Sequence, residues 1–280
     1  MEDLTIAVFR GLEWASLRPY AVSLARTGFK GTKLALVENI SDETRQQFTR
    51  LGFTIMDRVT PAPHPFHPQM SEGWAYGIAR FLPAVEYLKQ NPNRFRYVIW
   101  TDVRDVIFQS DPSVWLEKNL APSVAVVAGL GHKIRRCPWN DPWVQGASPR
   151  DYARVREMEA VACGTFAGTA NVMRNLMEDI YKGCLAANHP QATDQGMLNV
   201  LIRTAPYESI VRVPKLQEAF SAQWYPAKDG DPTLLPNYAP PIFDKVSQTV
   251  YAPDSGIPFS IVHLYDRDRT WLALFREKYR

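Results

Sequence analysis

A chain of 280 residues that is 46% hydrophobic and 22% charged has ample apolar material for one sizeable core. Its net charge of +3 excludes the dedicated basic face of a nucleic-acid binder, while leaving room to bind one small anion. Three cysteines, Cys137, Cys163 and Cys184, lack metal-ligand spacing and read as reduced thiols of a reducing compartment.

The acidic opening "MEDLTIAVFRG" enters a strand-like run without a basic segment followed by an apolar one. No window approaches the roughly 18 apolar residues needed to span a bilayer. The expectation is a cytoplasmic protein, with peripheral membrane contact left open.

"LTIAVFRGL" reads as a strand, and "WASLRPYAVSLARTGF" as a helix closed by Gly28. "TKLALVEN" is a second strand, "SDETRQQFTRLGF" a helix capped by Ser41, and "FTIMDRV" a third strand. Strands and helices alternating at this spacing predict a parallel α/β sheet. The proline-rich "TPAPHPFHPQM" reads as a surface loop, and its His64 and His67 as exposed loop histidines without an acidic neighbour. "SEGWAYGIARFLPAVEYLKQ" is an amphipathic helix that Pro83 should kink or split, with Trp74, Tyr76 and Phe81 expected in the core.

"FRYVIWTD" is the fourth strand, and "DPSVWLEKNL" a short helix capped by Asp111 with Pro112 at its first position. "SVAVVAGLG" is a fifth strand. Residues 133–150 look irregular, and the "HKIRR" cluster beside Trp139 and Trp143 reads as a solvated loop or a site for an anionic acceptor. "RDYARVREMEAVACGTFAGT" leads as helix or connector into a small-residue strand, and two helices follow, "ANVMRNLMEDIYKGCLAA" and "TDQGMLNVLIRT". "SIVRVP" is strand-like, residues 226–258 are loop with short pieces, and "FSIVHLYDRDRTWLALFREKYR" is a strand, a turn and a terminal helix.

Asp102 and Asp105 stand at the carboxyl end of a hydrophobic strand, where ligands of open parallel sheets bind. Two carboxylates there suit a hard divalent cation with positions left for a diphosphate. The plainer reading has Asp102 capping the turn and Arg104 paired with one carboxylate.

In order along the chain, "IAVFRG", "WAYGIARF", "YVIWTDVRDVIF", "ACGTFAGT", "TDQGMLN" and "IVHLYDRDRTW" resemble the motifs of GT-A nucleotide-sugar glycosyltransferases. The motifs are most similar to those of glycogenin-like retaining transferases and their bacterial relatives. The resemblance implies an α/β fold of the GT-A, Rossmann-like type: a mostly parallel central sheet flanked by helices, with a loop-rich C-terminal cap. It implies one catalytic domain over 1–280, with a nucleotide-binding half at 1–130 and a donor-sugar and acceptor half at 131–280. Asp102, Asp105 and His263 would hold Mn²⁺ or Mg²⁺, with Asp266 orienting the imidazole. Phe9, Arg10, Arg80, Asp102, Cys163, Gly164 and Arg267 would bind the nucleotide and donor, and Asp194 and Gln195 would act in catalysis, Asp194 also serving as a helix cap. The implied donor is a nucleotide-diphosphate sugar, UDP-linked by preference, and the acceptor a glycan or small molecule.

Three departures stand out. The usual D-x-D is D-x-x-D here, Cys163 replaces an Asn or Ala, and Arg267 or Arg269 replaces a lysine. Two other readings compete: a nucleotidyltransferase, which normally has a Gly-rich loop where this chain has only Gly11, and a non-catalytic binding protein of the same fold.

Overall fold

The computed structural model describes residues 1–58, 65–224 and 233–280; His64 lies outside the described residues. The chain begins β1 (Glu2–Arg10), α1 (Trp14–Arg26), β2 (Thr32–Glu38), α2 (Asp42–Arg50) and β3 (Phe53–Asp57). Along β1, Leu4, Ile6 and Val8 enter one core cluster while Ala7 and Phe9 enter another. Apolar residues on both faces of one strand are what a sheet covered on both sides requires. Ser41 caps α2 as expected, its hydroxyl accepting from the Thr44 N–H at 3.2 Å.

The long amphipathic segment splits into α3 (Glu72–Ala79) and α4 (Phe81–Gln90), and the break falls at Arg80 rather than at Pro83. Pro83 is the third residue of α4, where an N–H has no intrahelical partner to lose, so the ring is accommodated without a kink.

β4 (Phe95–Thr101), β5 (Val106–Phe108), α5 (Pro112–Asn119) and β6 (Ala125–Lys133) come next. Asp111 caps α5 by accepting from the Ser113 N–H at 2.8 Å. Residues 133–150 are more regular than their composition suggests. They hold a 3₁₀ turn at Ile134–Arg136, α6 (Asn140–Ala147) and the start of α7 (Pro149–Val155). Then come β7 (Glu159–Thr169), α8 (Ala170–Ala187), α9 (Asp194–Leu201), β8 (Val211–Arg212), β9 (Ser221–Gln223), β10 (Ile242–Asp244), β11 (Thr249–Tyr251), β12 (Ile261–His263) and α10 (Arg269–Lys278).

Seven strands form the main sheet in the order β3-β2-β1-β4-β7-β6-β8. Neighbours are parallel except around β7, which runs antiparallel to both β4 and β6. The sheet is therefore mixed, with helices on both faces: Leu17, Phe48 and Leu116 of α1, α2 and α5 pack on one, and Phe81, Met177 and Leu198 of α4, α8 and α9 on the other. A second sheet, β5-β12-β9, is covered by Trp271 and Phe275 of α10, and β10 and β11 form a hairpin. Among the described residues no helix is long and apolar enough to cross a membrane.

Candidate active site

β4 ends beside the middle of β7, with Thr101 opposite Thr165, and the Asp102 N–H donates to the Gly164 carbonyl at 2.8 Å. Four residues later the chain enters β5, where Val106 faces His263 of β12. Asp105 is thus held one position from the histidine by a short ladder. On its other side β12 pairs in register with β9, and Gln223 is the direct neighbour of His263. Cross-strand neighbours share a face, and His263 Nδ1 lies 2.7 Å from Gln223 Oε1. The Gln223 amide nitrogen donates to Ser221 Oγ at 2.9 Å, so Oε1 is the acceptor and Nδ1 carries the proton.

That leaves His263 Nε2 buried without a hydrogen-bond partner, 3.5 Å from Asp102 Oδ2 and 3.7 Å from Asp105 Oδ1. His263 is 3% exposed and Asp105 5% exposed. One ligand atom from each of the three residues lies within 4.8 Å of the other two. A lone pair aimed at two carboxylates is repulsive unless a cation or a proton sits between them, so the arrangement fits a divalent ion. The electrostatics agree. Burial alone would lower the imidazole, but the charges of Asp105 and Asp102 outweigh it and raise the proton affinity. Burial raises the Asp105 carboxyl. It acts the same way on Asp102, where the Arg80 guanidinium and the His263 ring outweigh it and hold the group well below the usual carboxylate range. The extra residue in D-x-x-D therefore does not keep the carboxylates apart, because both converge on one imidazole.

Gly164 is part of this geometry. A Cβ there would stand 2.3 Å from His263 Cε1 and 2.6 Å from Asp102 Oδ2. Gly164→Ala is expected to displace His263 or Asp102 and, if this cluster holds Mn²⁺, to weaken its binding by about tenfold or more. Mn²⁺ titration by electron paramagnetic resonance checks this.

Arg80, at the junction of α3 and α4, spans the centre of the site. It donates to Asp102 Oδ1 at 2.5 Å, to Asp194 Oδ2 at 3.4 Å and to the Gly77 carbonyl at 3.1 Å, and lies over the Trp100 ring. Asp194 is not the cap of α9. Thr193 is, its hydroxyl accepting from the Gly196 N–H, which puts the carboxylate in the first turn, where Oδ1 accepts from the Gln195 N–H at 2.8 Å. Burial raises the Asp194 carboxyl against the opposing charge of Arg80. Gln195 is fixed at both ends, accepting from the Cys163 N–H at 3.2 Å and donating to Asn140 Oδ1 at 2.9 Å. Burial pushes the Cys163 thiol well above its ordinary value, so Cys163 is a neutral wall residue.

Arg80, Asp102, Asp105, Cys163, Gly164, Asp194, Gln195 and His263 border one cavity of about 1140 Å³, along with Phe9, Arg10 and Arg267. The Phe9 ring is 2% exposed and packs on Phe48, so it borders the cavity from within the core. Arg10 pairs with Glu72 at 2.6 Å and stacks over Tyr76. Asp266 does not orient His263, because Gln223 takes that place in the ladder; Asp266 lies instead 3.7 Å from Arg104 and 3.6 Å from Arg267. Among the described residues Arg104 pairs with Asp266 rather than with Asp102 or Asp105, although its charge still reaches the Asp105 carboxylate. Lys133 and Arg135 of the basic cluster pair with Glu157 and do not line the cavity.

Several wall residues escaped sequence reasoning. Trp74 and Tyr76 line the cavity, because α3 turns one face to it, while only Phe81 is core. Trp139, Asn140 and Trp143 come from the stretch read as irregular. Its one usable signal was the pair of tryptophans four residues apart.

Neither a scan of protein-family models nor a search of curated proteins returned a match. Solved structures do match. The galactosyltransferase LgtC in complex with donor and acceptor sugar analogues is 12% identical, over 99% of this chain and 93% of that one, with a TM-score of 0.60. An active-site variant of LgtC with Gln replaced by Glu matches at 12% identity over the same shares, with a TM-score of 0.57. Mouse xyloside xylosyltransferase 1 is 13% identical, over 81% of this chain and 88% of that one, with a TM-score of 0.53. The likeness is one of fold: the chain has the α/β fold of GT-A glycosyltransferases, with an Asp-Asp-His cluster as candidate metal centre.

Proposed function

We propose that the protein is a metal-dependent glycosyltransferase that moves a sugar from a nucleotide-diphosphate sugar, UDP-linked by preference, to a glycan or small-molecule acceptor. The observation that carries this reading is His263 Nε2, buried and unpartnered between Asp102 and Asp105 at the floor of the cavity. One nitrogen and two carboxylates suit Mn²⁺, or Mg²⁺ in its place. A divalent cation held there supplies positive charge to the diphosphate leaving group, the largest electrostatic demand of glycosyl transfer. LgtC was crystallised with donor and acceptor sugar analogues, which supports the same ligand classes here.

The protein's own residues would do the rest. Residues 1–130 serve the nucleotide and 131–280 the donor sugar and acceptor, with Arg267 and Arg10 at the phosphate and nucleotide end. Arg80 holds Asp102 toward the ion and Asp194 toward the sugar. Both oxygens of Asp194 are engaged, by the Gln195 N–H and by Arg80. That suits a carboxylate that stabilises positive charge at the anomeric carbon better than one that abstracts a proton, so we favour retention. Gln195 presents its amide from a fixed position, and an active-site glutamine was the residue changed in the LgtC variant. A cytoplasmic location belongs to the same proposal; the three cysteines are free and buried.

The test is thermal melting with Mn²⁺ and UDP together. A ligand that binds only the native state raises the midpoint, and the absence of a shift with every nucleoside diphosphate would sink the reading. Asp194→Asn is expected to lose at least about a hundredfold in turnover, roughly 2.7 kcal/mol, while UDP affinity stays within about twofold. Donor hydrolysis and UDP titration measure the two quantities, and equal loss of both would make Asp194 structural.

A further inference from the structure

We infer that the tryptophan-lined end of the cavity is the acceptor subsite and that it takes a neutral saccharide, one pyranose ring lying flat against Trp139 with Trp143 beside it. The transfer step rests on the glycosyltransferase reading; the binding surface does not.

Position is the first argument. α6 is seated directly on α9: a Cβ at Gly196 would stand 2.4 Å from the Trp143 carbonyl oxygen, and Asn140 of α6 holds the Gln195 amide. From the other side α3 brings Gly77 against the Asp194 carboxylate, a Cβ there lying 3.7 Å from Oδ2. Trp74 of α3 meets Trp143 edge-on with ring centroids 6.0 Å apart, and Trp139 lies 6.2 Å from Trp143 at an interplanar angle of 37°. Three indoles from two elements thus border the cavity at the helix that carries Asp194 and Gln195.

Exposure is the second. Among the described residues, Trp139 and Trp74 are the exposed large aromatics, at 64% and 36%, and both stand on this rim. An indole left in water at the mouth of a polar cavity lacks the apolar partner that its area calls for. Size is the third. At about 1140 Å³ the cavity exceeds the ~300–1,000 Å³ typical of a pocket for one small ligand, which leaves space beyond the donor.

Chemistry selects the occupant. A pyranose has a flat face of C–H groups, polarised by neighbouring oxygens, that complements the negative face of an indole, and a rim of hydroxyls that Asp194 and Gln195 can meet. An anionic headgroup would need a cation at this end. Of the basic cluster at 132–136, Lys133 and Arg135 pair with Glu157 and none of the lysine or arginine side chains lines the cavity; His132 does, as a buried imidazole whose Nδ1 lies 3.1 Å from the Leu130 carbonyl.

The experiment is titration of the full chain with maltose, lactose and cellobiose in the presence of Mn²⁺ and UDP, read by saturation-transfer NMR and calorimetry. At least one disaccharide should bind, Trp139→Ala should weaken it about tenfold or more, and Trp139→Phe should keep it within about threefold. An unchanged Mn²⁺ and UDP melting shift shows that each variant is folded. The inference is overturned if none of the three sugars binds, if Trp139→Ala binds as wild type does, or if anionic phospholipid vesicles bind through Trp139 where the sugars do not. Trp139-dependent sugar binding without any UDP shift would keep the subsite and remove the transferase reading instead.

Discussion

Asp105→Ala is expected to abolish the rise in melting midpoint that Mn²⁺ and UDP together produce, while changing the metal-free protein little. At ligand concentrations near a hundred times Kd, linkage stabilises the native state by about 2.7 kcal/mol, or roughly 5–10 °C for a chain of this size. Asp105 supplies one of three groups that converge on the ion, and no other carboxylate among the described residues completes such a cluster. Its removal leaves His263 and Asp102, and Asp102 has one oxygen committed to Arg80. Without metal the balance differs. Asp105 is buried near the carboxylates of Asp102 and Asp266, so deleting it relieves like-charge repulsion as well as leaving a small void. Differential scanning fluorimetry with and without Mn²⁺ and UDP separates the two states. A shift retained in Asp105→Ala would place the metal elsewhere or favour a binding protein that uses no metal.

The parts of this site that can be read from sequence are those carried by long elements. β4 announces its end by a run of apolar residues, and β7 by small residues that admit close neighbours, Gly164 above all. The cap at Ser41 and that at Asp111 follow from local chemistry alone. What escaped was the second sheet. β5 and β9 have three residues each, too short for any periodicity to register; β12 is legible as a strand, but not its pairing, which sets Gln223, His263 and Val106 side by side. Asp266, three residues past the end of a strand in sequence, looked like the partner of His263; the true partner is 40 residues away across a ladder. Trp74 and Tyr76 failed differently. Their spacing is helical, but a helix that borders a cavity has apolar residues on two faces, and periodicity cannot tell which face meets protein and which meets ligand.

Arg80→Met is expected to destabilise the protein by about 2–4 kcal/mol, a fall of roughly 5–15 °C in melting midpoint. The guanidinium is the only side-chain donor described for Asp102 and one of two groups that meet Asp194, and the three side chains are 15%, 29% and 18% exposed. Methionine keeps much of the volume above Trp100 and removes the charge, leaving two carboxylates that repel each other across the cavity floor. Partial exposure keeps the cost below that of a fully buried pair. Arg80→Lys restores charge, but a single ammonium lacks the fork that reaches both carboxylates at once, so about half of the loss should remain. The metal provides the discriminating measurement. In Arg80→Met the ion becomes the sole cation beside Asp102, so the stabilisation on adding Mn²⁺ should exceed that of wild type even though the metal-free protein melts lower. A metal response no larger than that of wild type would mean that Asp102 is not shared between Arg80 and the ion, and that its two oxygens serve the guanidinium alone.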